Sequence, residues 1–270
     1  MTHKFLEIDV FTTGPFTGNP LAIIADADDL STGQMQAIAR WLNLSETTFL
    51  LTPTTDEADY RVRIFTPTEE FPFAGHPTLG SARAWVELGG VSRGGHVVQE
   101  CGAGLVPVRV DGETLSFATP PRTRTGPLSD AELERAAQIL GIGVGEILAH
   151  SWGVNGPTWQ LIQLADADAV RALRPAGDRT GAHLGVVGLG PSGTEVEVRA
   201  ILEFGEDPVT GSLNGALAQW LRERDVIGPE YVARQGSAVG ADGEVFVHDD
   251  GADIWVGGRT AVRISGTLAM

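Results

Sequence analysis

Most apolar residues of the chain lie in short runs or at alternate positions, and fewer recur at every third or fourth position as in a helix. An apolar residue at every second position, or a brief apolar run bounded by turn residues, predicts a strand. Capping boxes at Ser31 with Gln34 and at Ser129 with Glu132 predict two helix starts. The predicted strands are 5–10, 60–65, 96–100, 105–110, 114–118, 158–164, 183–187, 195–202, 244–248, 253–256 and 261–264, with a short helix over 166–173.

Two further helices are apolar on nearly every face, which is typical of helices inside a domain. The first follows Gly75, which we expect to take a positive φ in a sharp turn, and Pro77 suits its first turn. The second follows Gly211. Each glycine ends a Pro-x-x-Gly motif, and the two motifs lie 136 positions apart, at Pro72 and Pro208.

This interval is close to half the chain, and a capping-box helix comes earlier and a strand hairpin later in each half. The sequence therefore predicts an α+β protein of two similar domains that arose by internal duplication. We expect an N-terminal domain over residues 1–119 and a C-terminal domain over 128–265, with a Pro- and Thr-rich linker at 120–127. The last few residues of the chain are candidates for packing back onto the first domain.

Charge and cysteine count exclude several classes of protein. The 270 residues include 35 acidic and 19 basic side chains, a formal net charge of −16, which disfavours a partner such as nucleic acid or an anionic membrane. The single cysteine, Cys101, cannot form an internal disulfide or a multi-cysteine zinc site. No apolar run has the length of a membrane span, and no signal peptide is predicted. The expected location is the cytoplasm.

The paired helix starts are candidate anion sites, because free N–H groups and the positive end of the helix dipole meet there. If the two halves face each other, a small carboxylate substrate fits between them. The acid/base groups available are Glu46, His76, Asp207 and Ser212, without a thiol or metal site. Glu46 adjoins apolar residues, which suits a general acid/base. A solvent-facing Glu46, a helix-capping His76, a turn-forming Asp207 and an N-cap Ser212 remain open alternatives.

Four segments together resemble the phenazine-biosynthesis PhzF-like family, which has the diaminopimelate epimerase-like fold. They spread from the N-terminus to about residue 220 in family order. The segments are Asp9-Val10-Phe11 with Phe16-Thr17-Gly18-Asn19-Pro20-Leu21-Ala22; Ser45-Glu46-Thr47-Thr48-Phe49; Arg63-Ile64-Phe65-Thr66-Pro67 with Glu70 and Pro72-Phe73-Ala74-Gly75-His76-Pro77-Thr78; and Glu206-Asp207-Pro208-Val209-Thr210-Gly211-Ser212.

This resemblance implies that each domain is a mixed sheet or barrel wrapped around a central helix, with the active site between the domains and a homodimer as the assembly. It implies a cofactor-independent isomerase that moves a proton on a substrate such as trans-2,3-dihydro-3-hydroxyanthranilate. Glu46 would transfer the proton, with His76, Asp207 and Ser212 assisting. The turns at Gly75 and Gly211 would bind the substrate carboxylate. Asn19 is a further expected substrate-binding residue, and no metal is expected.

Two other functions remain open on the sequence. A binding or interaction protein could keep the fold and site without turnover. A racemase or epimerase that needs no cysteine is the other alternative. The epimerase branch of the fold uses one cysteine from each half, whereas His76 and Ser212 stand at the duplicated turns here. A two-cysteine mechanism is therefore excluded by the cysteine count.

Overall fold

The computed structural model describes residues 2–190 and 195–270 and divides into two units. Unit 1 consists of Met1–Ala118 together with Gly257–Met270, and unit 2 consists of Thr119–Val256. Both units are mixed sheets with few helices, in agreement with the predicted fold class. Among the described helices, none is both long and apolar enough to span a membrane.

Unit 1 is built on a sheet that closes on itself. Its elements are β1 (Thr2–Val10), β2 (Asn19–Ala25), α1 (Thr32–Leu42), β3 (Thr47–Leu51), β4 (Tyr60–Phe65), β5 (Glu70–Phe71), α2 (Gly75–Glu87), β6 (His96–Cys101), β7 (Gly104–Asp111), β8 (Thr114–Ala118) and most of β16 (Ile254–Ala269). The order is β1-β2-β3-β4-β6-β7-β8-β16, and β16 pairs again with β1. The pairs β2–β3 and β4–β6 run parallel.

Helix α2 is buried along most of its length. Every residue from Gly75 to Ala82 is buried, as is Ala84. The helix contacts β1, β2, β3, β4, β6, β7 and β8. Its apolar sequence therefore matches an environment of sheet on many sides, whereas the amphipathic α1 buries only the side that carries Met35, Ile38 and Ala39.

Unit 2 has a similar run of elements after an extra helix. They are α3 (Asp130–Leu140), a 3₁₀ turn (Val144–Glu146), β9 (Ala149–Val154), β10 (Thr158–Gln163), α4 (Ala167–Ala172), β11 (His183–Leu189), β12 (Glu195–Leu202), β13 (Gly205–Asp207), α5 (Gly211–Glu223), β14 (Glu230–Gln235), a second 3₁₀ turn (Ser237–Val239), β15 (Gly243–Asp249) and the start of β16. The order is β16-β15-β14-β12-β11-β10-β9, with β10–β11 and β12–β14 parallel. Helix α5 is buried and contacts β9, β10, β11 and β15.

Several predicted elements have the observed bounds. The strands at 60–65, 114–118 and 195–202 coincide with β4, β8 and β12, and both capping boxes are present at α1 and α3. The short helix over 166–173 is α4, with Asp166 and Leu173 as its caps. The strands that were not predicted are β2, β3, β5, β9, β13 and β14.

The segment 120–127 is not a free linker. It belongs to unit 2, where Thr123 N–H donates to the carbonyl of Val154 at 2.6 Å and Trp152 N–H donates to the carbonyl of Gly126 at 2.8 Å. Its proline- and glycine-rich sequence breaks the apolar pattern, but the backbone groups that remain pair with β9. The composition therefore indicated a boundary where the chain in fact lies along a strand.

The C-terminal strands predicted at 253–256 and 261–264 are one continuous strand, β16. The residues up to Val256 belong to unit 2, and those from Gly257 onward belong to unit 1, so more of the C-terminus returns to unit 1 than predicted. Gly257 interrupts the apolar pattern because this position is crowded. A Cβ there would lie 2.4 Å from the carbonyl oxygen of Leu115 and 2.5 Å from Cβ of Ser116.

Candidate active site

Glu46 and His76 meet in unit 1. Glu46 directly precedes β3, and His76 is the second residue of α2. The His76 Nδ1 atom lies 3.4 Å from Oε2 of Glu46, and the two side chains are only 4% and 15% exposed. The Glu46 side chain is therefore mostly buried, in contrast to the solvent-facing alternative. Three strands, β3, β4 and β5, separate these residues along the chain, and the fold brings them into contact.

Burial keeps the His76 ring neutral over a wider pH range than is usual for histidine. Removal of the ring from water lowers the pKa of His76 from 6.5 to about 3. The imidazole is therefore neutral near pH 7, and its contact with Glu46 joins a carboxyl group to a neutral ring rather than two full charges. Among the described residues, the buried Nε2 atom of His76 has no hydrogen-bond partner. An unpaired buried polar atom costs free energy, so this nitrogen is a candidate ligand contact.

Ser212 is held from two sides in unit 2. It is the second residue of α5, as His76 is of α2. The indole Nε1–H of Trp159 donates to Oγ of Ser212 at 3.2 Å, and Nδ2 of Asn155 donates to its backbone carbonyl at 2.8 Å. Ser212 is not the helix N-cap, because that position belongs to Thr210.

Asp207 ends β13, three residues before the α5 N-cap. The Thr210 hydroxyl donates to Oδ2 of Asp207 at 2.5 Å, and Nε2 of Gln235 donates to the Asp207 backbone carbonyl at 3.1 Å. Asp207 is therefore part of a hydrogen-bonded turn in front of α5. Trp159 and Gln235 were not predicted as site residues, because single aromatic or polar residues in strands give no local signal, and Thr210 stands in a motif without a predicted role.

The helix starts differ from the predicted turns in one respect. Gly75 and Gly211 are the first helical residues of α2 and α5, and neither belongs to the glycines with positive φ. The cap residues Ala74 and Thr210 make no side-chain cap hydrogen bond, in contrast to Ser31 at α1. The first turns of α2 and α5 thus keep backbone N–H groups that a cap side chain has not taken, which suits an anion.

Asn19 is the remaining predicted site residue. It begins β2, where it pairs with Val10, and its side chain is fully buried. Its position in unit 1 leaves its substrate-binding role a prediction.

The described residues were also compared with the requirements of a metal site and of a reactive thiol. Within residues 2–190 and 195–270, no group of three or more His, Cys, Asp or Glu side chains could hold a metal ion. Cys101 is partly buried and its Sγ donates weakly to the Gly104 carbonyl at 3.5 Å. Burial raises the pKa of this thiol, which disfavours the reactive thiolate.

A family model, two relatives and a solved structure are similar to this chain over almost its whole length. The family model described as phenazine biosynthesis-like protein matches residues 8–270. A trans-2,3-dihydro-3-hydroxyanthranilate isomerase from Pseudomonas aeruginosa is 34% identical, over 99% of this chain and 96% of that protein. Antisense-enhancing sequence 1 from Schizosaccharomyces pombe is 37% identical over 98% of both chains. The solved structure of a predicted epimerase from Pseudomonas aeruginosa is 25% identical, covers 99% of both chains and has a TM-score of 0.83.

Proposed function

The chain belongs to the phenazine biosynthesis-like protein family, and on that premise we propose that it is an isomerase that moves a proton on a small carboxylate substrate. The relative named trans-2,3-dihydro-3-hydroxyanthranilate isomerase makes this compound, or one of the same class, the first substrate to test. The observation that carries the proposal is the contact of Glu46 with a buried, neutral His76.

In this proposal Glu46 takes a proton from one substrate carbon and delivers a proton to another, and the proton on its partly exposed carboxyl group exchanges with solvent between the two steps. A carboxylate next to a neutral imidazole can accept a proton without first breaking a strong ion pair, and the small exposure of Glu46 limits competition from water. His76 orients Glu46 through Nδ1. Its buried Nε2 atom is the acceptor or donor for a polar group of the substrate, which removes the cost of leaving that nitrogen unpaired.

Substrate binding is assigned to the first turns of α2 and α5. Gly75 and Gly211 let a carboxylate approach backbone N–H groups, and the helix dipoles favour its charge. Asp207 and Ser212 assist from unit 2, and Asn19 contributes to binding in unit 1. That all of these groups act on one substrate stays a prediction, as do the homodimer and the cytoplasmic location. Proton transfer between carbon atoms needs no electron acceptor, so we propose no cofactor.

We also infer the internal duplication, with α2 and α5 as the central helices. The parallel pairs β2–β3 and β4–β6 of unit 1 recur as β10–β11 and β12–β14 of unit 2. Bidentate ion pairs join Arg63 to Glu70 and Arg199 to Glu206, at the same interval of 136 positions that separates the helices. By strand order the counterpart of α1 is α4, rather than the capping-box helix α3 that the sequence suggested.

Turnover of trans-2,3-dihydro-3-hydroxyanthranilate, followed by NMR, tests the proposal. We expect Glu46→Gln to lower kcat by about 100-fold or more, since general acid/base groups contribute that much. Glu57→Gln, which alters an exposed glutamate of the same unit, is the matched control and is expected to keep wild-type turnover. Unchanged turnover in Glu46→Gln would contradict the role of Glu46. Thermal stabilisation by substrate without product would favour a binding protein instead.

A further inference from the structure

The amide of Gln235 has its orientation fixed by two backbone groups. Gln235 lies at the end of β14 with 1% of its surface exposed. Its Oε1 atom accepts from the backbone N–H of Thr210 at 3.2 Å, and its Nε2 atom donates to the carbonyl of Asp207 at 3.1 Å. A backbone N–H can only donate and a carbonyl can only accept, so the amide oxygen and nitrogen cannot be exchanged.

This orientation sets the direction of the next hydrogen bond. Nε2 of Gln235 also donates to Oγ1 of Thr210 at 2.9 Å. The Thr210 hydroxyl in turn donates to Oδ2 of Asp207 at 2.5 Å, which gives its buried proton an acceptor. Gln235, Thr210 and Asp207 therefore form a chain of hydrogen bonds in which Oδ2 of Asp207 is the final acceptor.

Unit 1 contains the framework of this chain without its end. At the positions 136 residues earlier, Gln99 replaces Gln235 and Thr78 replaces Asn214. Nε2 of Gln99 donates to Oγ1 of Thr78 at 2.9 Å. The corresponding bond in unit 2 has the opposite direction, because Nδ2 of Asn214 donates to Oε1 of Gln235 at 3.0 Å. Both glutamines thus bind the first turn of a buried helix.

The two remaining members have no polar counterpart in unit 1. Ala74 stands at the position of Thr210, and Phe71 stands at the position of Asp207. The bond from glutamine to helix is therefore shared by both units, and in unit 1 it forms without a polar side chain at the positions that correspond to Thr210 and Asp207. The hydrogen bonds that continue from Gln235 through Thr210 to Asp207 are specific to unit 2, so the attachment of the glutamine to the helix does not explain them.

We propose that Gln235 and Thr210 are positioning residues that hold Oδ2 of Asp207 as a hydrogen-bond acceptor and so favour the ionised form of this carboxyl group. The inference rests on the assisting role proposed above for Asp207. It adds that the orientation of the carboxylate is set by a glutamine on β14 through the residue that caps α5.

The test is a pH titration of the Asp207 carboxyl carbon by ¹³C NMR, with the resonance assigned through Asp207→Asn. Thr210→Val keeps the branched shape and removes the hydroxyl. We expect its titration midpoint to lie about one pH unit higher than in the wild type, because a hydrogen bond to the ionised form is lost. Thr210→Ser restores the hydroxyl and is expected to restore the wild-type curve.

Gln235→Met and Gln99→Met form a matched pair of controls. Both remove a buried amide that binds a helix start, but only the first is linked to Asp207, so only Gln235→Met is expected to shift the midpoint. An unchanged midpoint in both Thr210→Val and Gln235→Met, or an equal shift in Gln99→Met, would overturn the proposal. If Thr210→Val does not fold, the Gln235→Met and Thr210→Ser curves decide. The titration needs no turnover, so a failure of the isomerase proposal is recognised separately.

Discussion

His76 illustrates how burial changes the chemistry of a single side chain. In water, its imidazole titrates in the range where many enzymes work, but burial lowers its pKa to about 3. The ring therefore stays neutral at the pH where Glu46 is expected to act. A histidine that stays neutral can hold a carboxyl group in place and bind a substrate group with its second nitrogen.

This depressed pKa has a consequence for stability. Between about pH 3 and pH 6.5 the unfolded chain binds a proton at His76 and the folded chain does not, so stability falls as pH falls through this window. We expect the wild type to lose up to about 1.4 kcal/mol per pH unit more than His76→Gln there. Urea unfolding of both proteins at pH 4, 5, 6 and 7 measures the difference. Parallel pH dependences would contradict it.

The sequence predicted single residues where a motif carried them and missed those that only the fold brings together. Glu46 and His76 stand in motifs that resemble a known family, and the structure places them in contact. Thr210 and Gln235 lie 25 positions apart and meet only because β14 runs behind the start of α5. Thr210 stands in a quoted motif without an assigned role, and the interval of 136 residues between Gln99 and Gln235 was a signal for Gln235.

At the scale of elements, alternation of apolar and polar residues identified most strands and failed where burial and hydrophobicity disagree. Strand β14 alternates between exposed and buried positions, but Val232 faces solvent and Gln235 is buried. The positions of apolar residues alone therefore do not reveal this strand. Helix starts were clearer, because the capping boxes at Ser31 and Ser129 are local signals that need no tertiary partner.

Strand β16 offers a direct test of why a glycine interrupts it. In Gly257→Ala the new Cβ would meet the backbone of β8, and we expect the free energy of unfolding to fall by about 1–3 kcal/mol, as for other overpacked sites. Gly266→Ala lies in the same strand with no atom near the new methyl group, and is expected to change stability by less than about 0.5 kcal/mol. Denaturant unfolding compares the two variants. Equal effects would show that crowding does not explain Gly257.

At the scale of the whole molecule, the two units repeat a pattern in different surroundings. The ion pair of Arg63 and Glu70 in unit 1 has side chains 21% and 38% exposed, whereas those of Arg199 and Glu206 in unit 2 are 5% and 7% exposed. The proposed correspondence of the two halves rests on the constant interval between their motifs. The bounds of the units were not predictable from the motifs, because the end of the chain returns to unit 1 through a strand that begins in unit 2.

The difference in burial predicts unequal costs for the same substitution. Glu206→Gln leaves a buried arginine without its counter-charge, and we expect the free energy of unfolding to fall by about 3 kcal/mol. Glu70→Gln, the matched change in unit 1, is expected to cost about 1 kcal/mol or less, because water screens the exposed pair. Urea unfolding at one pH and ionic strength gives both values. A larger effect at Glu70 would contradict this assignment.

Proton transfer by Glu46 is the central claim, and the position of deuterium in the product tests it most directly. The wild type is incubated with trans-2,3-dihydro-3-hydroxyanthranilate in heavy water, and the product is analysed by NMR. We expect a carbon-bound deuteron at the carbon that gains the proton, and no such product above the uncatalysed background with Glu46→Gln. Product formation by Glu46→Gln at the wild-type rate, with the same deuterium pattern, would contradict the account.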